Sequence, residues 1–490
     1  MTAKHRLTHE ERSFFSLVNQ AVLANPFSDK RNDIDLKIAG LFPETSRQEV
    51  LDQTIKEVNH RVMLIEQDGR GDITLFSGKD SEILMTTYLF VVFHRFIDHF
   101  DSLIIEQMKA GKTSVKVEFA GEILRYLKDR GFRHDHILHS IALCYQLRRA
   151  FYFIDRGLVG RSNCMQKLRE SLWNNVFTCD LDLYNQFLWS RMEDFSTLIL
   201  GETGTGKGTA ARAIGQSGFI PFDEKKGCFK ESFSRTFLPL NISQFSENLI
   251  ESELFGHKKG SFTGAVEDHK GIFDQCSPYG AIFLDEIGEV SMPVQIKLLK
   301  ILEERVFSPV GSHGEHRFEG RIIAATNKEI GEIQNGSSFR SDFFYRLCSD
   351  IIIVPPLRER IREAPDELED LLVHTVERIV GKPSIDLARM VEKALAAQLE
   401  KNYPWPGNVR ELGQYVRRIL LKRTCTHASY PAVSKPGSEL ESLMDKGNLS
   451  AQDLLKDYCR RLYDKHGTLG EVARITLLDR RTVKKYITQD

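Results

Sequence analysis

The sequence lacks the features that mark membrane proteins and disulfide-stabilised secreted proteins. Its longest uncharged apolar run, residues 83–93, is too short to span a bilayer, and the first residues contain no apolar segment typical of a secretory signal. The eight cysteines are scattered and include no C-x-x-C pair, which favours reduced thiols. We therefore expect a soluble, cytoplasmic protein with no membrane partner.

An excess of charge of one sign is also missing. Lysine and arginine total 67 and aspartate and glutamate total 68, so no overall field attracts the chain to nucleic acid. Any such contact requires a local basic patch. The 490 residues exceed what one apolar core accommodates and indicate about three domains.

A glycine-rich segment in the middle of the chain has the order of a phosphate-binding loop. Residues 196–200 are largely apolar and predict a buried strand, whereas residues 209–214 predict the start of a helix. Glycines between them leave backbone N–H groups free to surround a phosphate chain, and a lysine adds positive charge. The predicted nucleotide-binding residues are Gly201, Glu202, Thr203, Gly204, Thr205, Gly206, Lys207, Gly208 and Thr209. A nucleoside triphosphate is the implied ligand, and a plain glycine-rich turn is the alternative.

Two later apolar runs end in polar side chains. Residues 281–284 are followed by Asp285 and Glu286, and residues 321–326 by Asn327. If the first of these strands lay next to the strand of the phosphate loop, Asp285 would lie beside Mg²⁺ and Glu286 could polarise an attacking water. Asn327 could reach the γ-phosphate or that water. The alternative is a strand that ends in solvated acids.

Three arginines are candidates for contact with nucleotide. Arg340 and Arg346 lie near a predicted helix, where they could form surface ion pairs or, in a neighbouring subunit's site, stabilise transition-state charge. Arg410 follows a rigid turn at residues 403–407 and could point back at the nucleotide. Separately, Gly256, Gly260 and Gly264 prevent a continuous helix and favour a projecting loop, with Phe262 and Thr263 at its tip.

The first 155 residues predict a mainly helical region without a recognisable ligand site. One hairpin is expected, with strands at residues 61–66 and 73–76 joined by a turn at 68–71. Aromatic residues at helical spacing in 83–104 and 137–153 predict core packing. The histidines of this region, His94, His99, His134, His136 and His139, have no spacing typical of a metal site.

The C-terminal part predicts a small DNA-binding unit after a linker. Residues 424–449 have the composition of a linker, and residues 450–490 predict three short helices. Asp479 is a suitable N-cap for the last helix. That helix carries the basic residues Arg480, Arg481, Lys484 and Lys485. A helix-turn-helix that contacts DNA is therefore expected, and a solvated charged helix is the alternative.

Residues 158 to about 420 resemble the AAA+ domain of bacterial enhancer-binding proteins, the activators of sigma-54 RNA polymerase. The specific marker is similar to the GAFTGA loop of that family and follows the sequence Ser-Glu-Leu-Phe-Gly-His. In this chain it consists of Gly260, Ser261, Phe262, Thr263, Gly264 and Ala265. The resemblance implies that Phe262 and Thr263 engage the sigma factor and promoter DNA.

The same resemblance assigns roles to the candidates above. It implies that Asp285 and Glu286 are the Walker B pair, and that Asn241 couples nucleotide state to the loop through Glu286. It implies further that Asn327 lies in the first sensor. In the remaining positions, Arg340 and Arg346 match the arginine fingers, and Arg410 matches the second sensor within WPGNVREL. Residues 467–487 resemble the Fis-type DNA-binding helices of the family.

Several positions depart from the family pattern. Ser261 replaces alanine, and Gly208 occupies a position where the family usually has Glu and other phosphate loops have Ser or Thr. Thr209 is one residue late for that role. The segment 218–236 is longer than usual, and Leu477 stands where the Fis-like turn normally has Gly. The N-terminal region shows no receiver pattern, so phosphorelay control is unsupported.

These observations together predict an α/β protein with an AAA+ P-loop domain. The expected divisions are an N-terminal regulatory domain at 1–155, an α/β subdomain at 156–356, a helical lid at 357–423, a linker at 424–449 and a helix-turn-helix domain at 450–490. The expected function is ATP-dependent, Mg²⁺-assisted activation of sigma-54 RNA polymerase holoenzyme by a hexameric ring bound to upstream enhancer DNA. A DNA-binding repressor or scaffold that uses ATP only for assembly is one alternative. The other is an AAA+ chaperone acting on another protein, which would not need the basic tail.

Overall fold

The computed structural model describes residues 4–335, 339–400, 402–422 and 450–488. It divides into two compact units, Met1–Thr424 and Cys425–Asp490. The predicted linker at 424–449 lies outside the described residues. Within the described ranges, no helix combines the length and apolar character needed to cross a membrane.

The N-terminal part of the first unit is helical, as the sequence predicts. Its helices are α1 His9–Leu23, α2 Asp29–Ala39, α3 Arg47–Gln67, α4 Lys79–Arg95, α5 Ile97–Ala110, α6 Ala120–Lys128, α7 His134–Gly157, α8 Asn163–Phe177 and the single turn α9 Leu181–Leu183. Polar side chains fix where some of them begin. Thr8 with Glu11 and Ser46 with Glu49 form capping boxes at the starts of α1 and α3.

The expected hairpin at residues 61–76 is wrong. Helix α3 continues to Gln67, and Ile73–Leu75 form a 3-10 turn instead of a strand. The buried residues of α3 recur every three or four positions and give the helix one apolar face: Val50, Thr54, Val58, Val62 and Ile65. A six-residue window was too short to distinguish a buried strand from a segment of this helix.

A five-stranded parallel sheet forms the centre of the first unit. Its strands lie in the order β4-β5-β8-β1-β9. Their bounds are β1 Thr197–Leu200, β4 Phe237–Asn241, β5 Ala281–Asp285, β8 Arg321–Thr326 and β9 Asp350–Ile353. Alternate residues of β1 face opposite sides, because Ile199 belongs to one apolar cluster whereas Leu198 and Leu200 belong to another.

The strand that carries the acid pair is not adjacent to the strand of the phosphate loop, contrary to expectation. Strand β8 lies between them, pairing Ile323 with Thr197 of β1 on one side and Ile322 with Ile282 of β5 on the other. Both runs are apolar and buried, so composition alone did not reveal their order in the sheet. Since all these strands are parallel, their carboxyl ends still share one edge.

Helices and short ribbons cover the sheet. They are α10 Lys207–Gly215, β2 Phe222–Asp223, β3 Cys228–Phe229, α11 Glu247–Phe255, α12 Ile272–Gln275, α13 Met292–Glu304, β6 Val306–Phe307, β7 His316–Arg317, α14 Ile330–Asn335 and α15 Ser341–Leu347. A group of helices follows the last strand: α16 Leu357–Glu363, α17 Glu367–Val380, α18 Ile385–Ala396 and α19 Asn408–Lys422. The α/β fold with a following helical segment is confirmed.

One apolar cluster runs from the N-terminal helices into the sheet. It contains Leu7, Phe100 and Ile141 together with Ile214 of α10 and Val354 beyond β9. The long segment 218–236 joins this cluster as the ribbon β2–β3, whose Phe229 stacks on Tyr145 of α7 with ring centroids 4.1 Å apart. The predicted boundary near residue 155 therefore lies within a continuous core.

The C-terminal unit consists of the three expected helices, α20 Ala451–His466, α21 Leu469–Thr476 and α22 Arg480–Thr488. Their buried centre contains Cys459, Val472 and Val483. The carboxylate of Asp479 accepts hydrogen bonds from the backbone N–H groups of Arg481 and Thr482, so its predicted capping role is confirmed. Leu477, between α21 and α22, adopts a left-handed conformation with φ 57° and is 91% exposed. This conformation explains why glycine suits that position.

Candidate functional site

The phosphate loop closes tightly against the start of α19. Gly204 and Gly206 have φ values of 83° and 111°, which glycine adopts without strain. A Cβ on Gly204 would lie 2.3 Å from the carbonyl oxygen of Gly407, so no larger residue fits there. By contrast, a Cβ on Gly208 would meet only Phe283 at 3.8 Å, an ordinary contact. A side chain at position 208 would therefore fit, and packing does not require glycine there.

Lys207 is folded back onto its own loop. Its Nζ donates to the carbonyl oxygens of Gly201 at 2.8 Å and Glu202 at 3.3 Å, and the residue is only 7% exposed. Burial lowers the pKa of Lys207, while the negative charges of Glu286 and Asp285 act in the opposite direction. The lysine and the two acids thus lie close enough to interact, although their strands are not neighbours.

The acid pair sits at the end of β5 in a strained conformation. Glu286 has φ 57° and ψ 45°, a left-handed conformation that costs a non-glycine residue about 1–2 kcal/mol. Its backbone N–H donates to the carboxylate of Asp285 at 3.1 Å. Both residues are partly exposed. Strain of this kind is concentrated at functional sites, because the surrounding structure must maintain it.

Two asparagines flank the acid pair on neighbouring strands. Asn327 follows β8 and its Nδ2 donates to the hydroxyl of Thr203 in the phosphate loop at 3.3 Å. Asn241 ends β4 and is paired in register with Asp285. The side-chain oxygen of Asn241 accepts from the backbone N–H of Ser243 at 3.0 Å and caps a short turn. The carboxyl edge of the sheet thus presents Lys207, Asn327 and the acid pair together.

Glu202 joins the phosphate loop to the helices that follow the sheet, a role that sequence reasoning missed. The guanidinium of Arg358 donates two hydrogen bonds to its carboxylate, at 2.8 and 2.6 Å. Asn408 is fully buried with φ 52°, and its Nδ2 donates both to Glu202 and to the carbonyl of Thr203 at 3.1 Å. Asn408 also accepts from the backbone N–H of Leu357 at 2.8 Å. Asn408 belongs to the same WPGNVREL segment as Arg410, so the family motif itself could have indicated this second contact with the phosphate loop.

The remaining arginines fall into two groups. Arg410 lies at the phosphate loop, since its backbone N–H donates to the carbonyl of Gly204 at 3.3 Å and its charge lowers the pKa of Lys207. Arg340 instead donates to the carboxylate of Asp342 at 3.0 and 2.6 Å. Arg346 donates through Nε to the carbonyl of Leu302 at 3.1 Å. The structure therefore brings Arg410, but neither Arg340 nor Arg346, to the phosphate loop of this chain.

Thr209 lies on the side of α10 that meets α7. A Cβ on Gly157, the last residue of α7, would lie 3.3 Å from the methyl group of Thr209. Whether the Thr209 hydroxyl can replace the one missing at position 208 stays a prediction from the sequence. Among the described residues, no group of three or more His, Cys, Asp or Glu side chains could hold a metal ion.

The loop at 256–265 projects between α11 and α12 and is closed by its own backbone. Gly260 N–H donates to the carbonyl of Ala265 at 2.8 Å, and Ala265 N–H donates to Phe262 at 3.1 Å. Asp268 holds the base through Lys258 and the backbone N–H of Lys259. Phe262 is 37% exposed and Thr263 is exposed as well. The helix ends at Gly256 and both residues predicted at the tip are exposed, while the Phe262 ring packs edge-on against His257 with centroids 4.9 Å apart.

The departure at position 261 leaves a hydroxyl unsatisfied. Within the described part of the chain, the buried Ser261 Oγ has no hydrogen-bond partner. The residue packs so closely that a Cβ on Gly311 would lie 2.6 Å from the Cβ of Ser261. Ser261→Ala is therefore expected to raise the free energy of unfolding by about 1 kcal/mol, because an unpaired buried hydroxyl is removed. Chemical denaturation measures this change.

A matched control is Ser312→Ala, which removes a turn hydroxyl that accepts from the backbone N–H of Gly314 and should give no gain. A loss of stability in Ser261→Ala would mean that the Ser261 hydroxyl has a partner in solution.

The basic residues of α22 lie on its outer face. Arg480, Arg481, Lys484 and Lys485 are all exposed, whereas Val483 faces the core of the C-terminal unit. This arrangement presents positive charge to one side of the last helix, as a DNA contact requires.

The fold and the site together define a P-loop protein of the AAA+ class, with an extra strand between the phosphate-loop strand and the acid-bearing strand. Residues 182–352 match the family described as the Sigma-54 interaction domain. The sigma-54-dependent transcriptional activator SfnR of Pseudomonas putida is 36% identical over 289 residues, covering 58% of this chain and 73% of SfnR. The DNA-binding transcriptional regulator NtrC of Rhizobium meliloti is 38% identical over 262 residues, covering 54% of this chain and 47% of NtrC.

The chain belongs to the family of sigma-54-dependent transcriptional activators. The resemblance of the central region to bacterial enhancer-binding proteins is thereby confirmed, whereas the likeness of residues 467–487 to Fis-type helices stays a prediction. The chain spans about half the length of the first curated relatives it matches, 47% of NtrC and 52% of the regulator HoxA of Cupriavidus necator. The crystal structure of NtrX from Brucella abortus in complex with ATP is similar at 18% identity with a TM-score of 0.40, covering 75% of this chain and 79% of NtrX.

Proposed function

We propose that the chain is an ATP-driven activator of sigma-54 RNA polymerase that works as a ring of six subunits. The observation that carries this proposal is the meeting of Lys207, Asn327 and the acid pair at one edge of the sheet, beside the glycine-rich loop. Membership of the family of sigma-54-dependent activators supports sigma-54 RNA polymerase as the target. The exposed residues of the loop at 260–265 offer a surface that can contact it.

In this proposal the phosphate loop binds the triphosphate of ATP. Lys207 exchanges its two carbonyl acceptors for phosphate oxygens, and the N–H groups at the start of α10 add partial positive charge. Glu286 polarises the attacking water, with Asn327 close to the same position. Arg410, in the first turn of α19, adjoins the phosphate loop through its backbone N–H and can contact the phosphates of the same subunit.

The donor set fits a magnesium ion that arrives with the nucleotide. Magnesium prefers hard oxygen donors and takes few of them from the protein. Asp285 offers such an oxygen at the end of β5, whereas Gly208 has no side chain and Thr209 faces α7. Asp285 would therefore hold the ion, which would neutralise charge on the phosphates.

Each remaining part of the chain has a role in the proposal. Residues 1–155 would regulate, 156–356 would form the α/β subdomain and 357–423 the lid. Residues 450–490 would bind upstream enhancer DNA through Arg480, Arg481, Lys484 and Lys485. Phe262 and Thr263 would press on the sigma-54 holoenzyme when hydrolysis moves their loop. A DNA-binding repressor or scaffold remains the alternative, in which ATP serves assembly alone.

Transcription from a sigma-54 promoter with purified components tests this proposal. The wild-type protein should produce open complexes only with ATP. Thr263→Ala should reduce transcript yield at least about tenfold, since its side chain is exposed and available to a partner. ATP hydrolysis by Thr263→Ala should stay within about twofold of wild type, and this serves as the control. A wild-type protein that hydrolyses ATP but never opens the promoter would contradict the proposal.

A further inference from the structure

A cavity lies among the N-terminal helices, away from the phosphate loop. Its volume is about 410 Å³, which is in the usual range for small-molecule sites. Residues from α1, α2, α3, α4, α7 and α8 line it, together with Ile97 at the start of α5 and Leu181 of α9. Aromatic rings form much of its wall: Phe27 stacks on Phe151 with centroids 5.2 Å apart and meets Trp173 edge-on at 6.1 Å.

Two polar atoms in this apolar cavity are left without partners. Asp35 is 8% exposed; its Oδ2 accepts from Arg31 Nε at 2.8 Å, but its buried Oδ1 has no hydrogen-bond partner within the described residues. The buried Nδ1 of His94 is also unpartnered there. Buried polar groups are nearly always satisfied in folded proteins, because leaving one unpaired is costly. Both residues line the cavity, so a bound molecule could pair with them.

The charges around the cavity favour a neutral molecule. Each arginine of the cavity wall already pairs with a carboxylate: Arg31 with Asp35, Arg148 with Asp101 and Arg47 with Asp29. Asp155 adds a further carboxylate to the wall, which disfavours an anion. Burial, together with the smaller effect of the positive charges of Arg31 and Arg148, lowers the pKa of His94 to about 3, so the imidazole is neutral. A neutral imidazole and one carboxylate oxygen together suit a group that both donates and accepts a hydrogen bond. A hydroxyl on an aromatic ring has this property, and the ring suits the walls.

We propose that this cavity binds a neutral aromatic molecule that carries a hydroxyl group, with the hydroxyl directed at Asp35 and His94. The site lies in the region that sequence analysis left without a ligand, and it does not depend on the proposed ATPase activity.

Helix α7 connects this cavity to the phosphate-loop helix. Leu143, Leu147 and Phe151, spaced four residues apart, face the cavity. On another face, Gln146 donates to the carbonyl of Ser217 at 2.9 Å, and Arg149 donates to those of Gln216 and Gly218 at 2.8 Å each. These carbonyls belong to the three residues that directly follow α10, which begins at Lys207 and ends at Gly215. A molecule that orders one face of α7 therefore also orders the end of α10.

Calorimetric titration of the full chain with 2-naphthol tests the site, and naphthalene is the matched probe without a hydroxyl. We expect 2-naphthol to bind at least about tenfold more tightly than naphthalene, since hydrogen bonds to a buried carboxylate are strong. In Asp35→Leu, which removes that carboxylate, the preference should fall to within about threefold. Equal affinities for the two probes in the wild-type protein, or no saturable binding of 2-naphthol, would overturn the proposal.

Variants that fill the cavity give an independent check. Leu143→Trp and Ser140→Phe should each weaken 2-naphthol binding at least about tenfold. Met108 is an exposed residue of α5 that does not line the cavity. The equally large substitution Met108→Trp should leave the affinity for 2-naphthol at the wild-type value. Two filling substitutions keep the test decisive if one of them fails to fold, which circular dichroism detects. Unchanged affinity in a folded filling variant rejects the site.

Hydrogen exchange of the wild-type protein tests the connection through α7. Saturating 2-naphthol should slow amide exchange at least about threefold in α7 and at residues 216–218, as expected when local opening is suppressed. Protection that stops within the N-terminal helices would overturn the link to α10.

Discussion

Glu286→Gln is expected to bind ATP with unchanged affinity but to lose at least about a hundredfold in the rate of hydrolysis. A positioned general base contributes about 10²–10⁴ to such a reaction, and an amide cannot accept the proton of the attacking water. The substitution preserves shape, and the hydrogen bond to Asp285 comes from the backbone N–H of residue 286, so the turn should persist. Single-turnover hydrolysis and equilibrium nucleotide binding measure the two quantities separately.

Glu289→Gln is the matched control for this experiment. Glu289 is an exposed acid three residues later that pairs with Lys328 at 2.9 Å, and its loss should change hydrolysis less than about threefold. Undiminished turnover in Glu286→Gln would remove the assigned chemistry from the acid pair.

Arg346→Ala is expected to lower ATP hydrolysis by about 10³, the lower bound for arginine fingers supplied by a neighbour. Arg346 is the stronger of the two finger candidates, because a carbonyl accepts from its Nε, whereas the carboxylate of Asp342 neutralises Arg340. Arg340→Ala should therefore have the smaller effect. Steady-state hydrolysis at several protein concentrations measures both and also shows whether the rate per subunit rises with assembly.

Mixing variants tests whether the arginine acts across subunits. A mixture of Arg346→Ala and Glu286→Gln subunits forms some sites with an intact acid pair on one side and an intact arginine on the other. Such a mixture should hydrolyse ATP faster than either variant alone. If activity in the mixture is only the weighted mean of the two, Arg346 does not act on a neighbour's nucleotide.

The phosphate loop and the C-terminal helices could be predicted because the sequence patterns that indicate them are local. Glycine spacing, the position of Lys207 and the cap at Asp479 each depend on a few consecutive residues, and the structure has the corresponding turns and helix starts. The hairpin failed for the same reason: residues 61–66 were judged without the helical period that runs back to Val50. Strand order failed because β5 and β8 are equally apolar and buried.

Contacts between distant segments were beyond sequence reasoning. The pairing of Glu202 with Arg358 and Asn408 joins residues separated by 156 and 206 positions. The unpartnered atoms of Asp35 and His94 come from different helices and become visible only once the cavity between them exists. A single sequence carries no record of such pairs, because each side chain is unremarkable in its own neighbourhood.

The continuous core between the N-terminal helices and the sheet limits how this protein can be dissected. A fragment that begins after α7 would expose to water the apolar face of α10, including Ile214, which α7 and its neighbours cover in the intact chain. The carbonyl oxygens of Gln216 and Gly218 would also lose the hydrogen bonds that the guanidinium of Arg149 donates to them. Aggregation of such a truncation would result from this exposed surface and would not show whether residues 1–155 activate or restrain the proposed ATPase. Point substitutions on α7 in the intact chain are the informative route to that question.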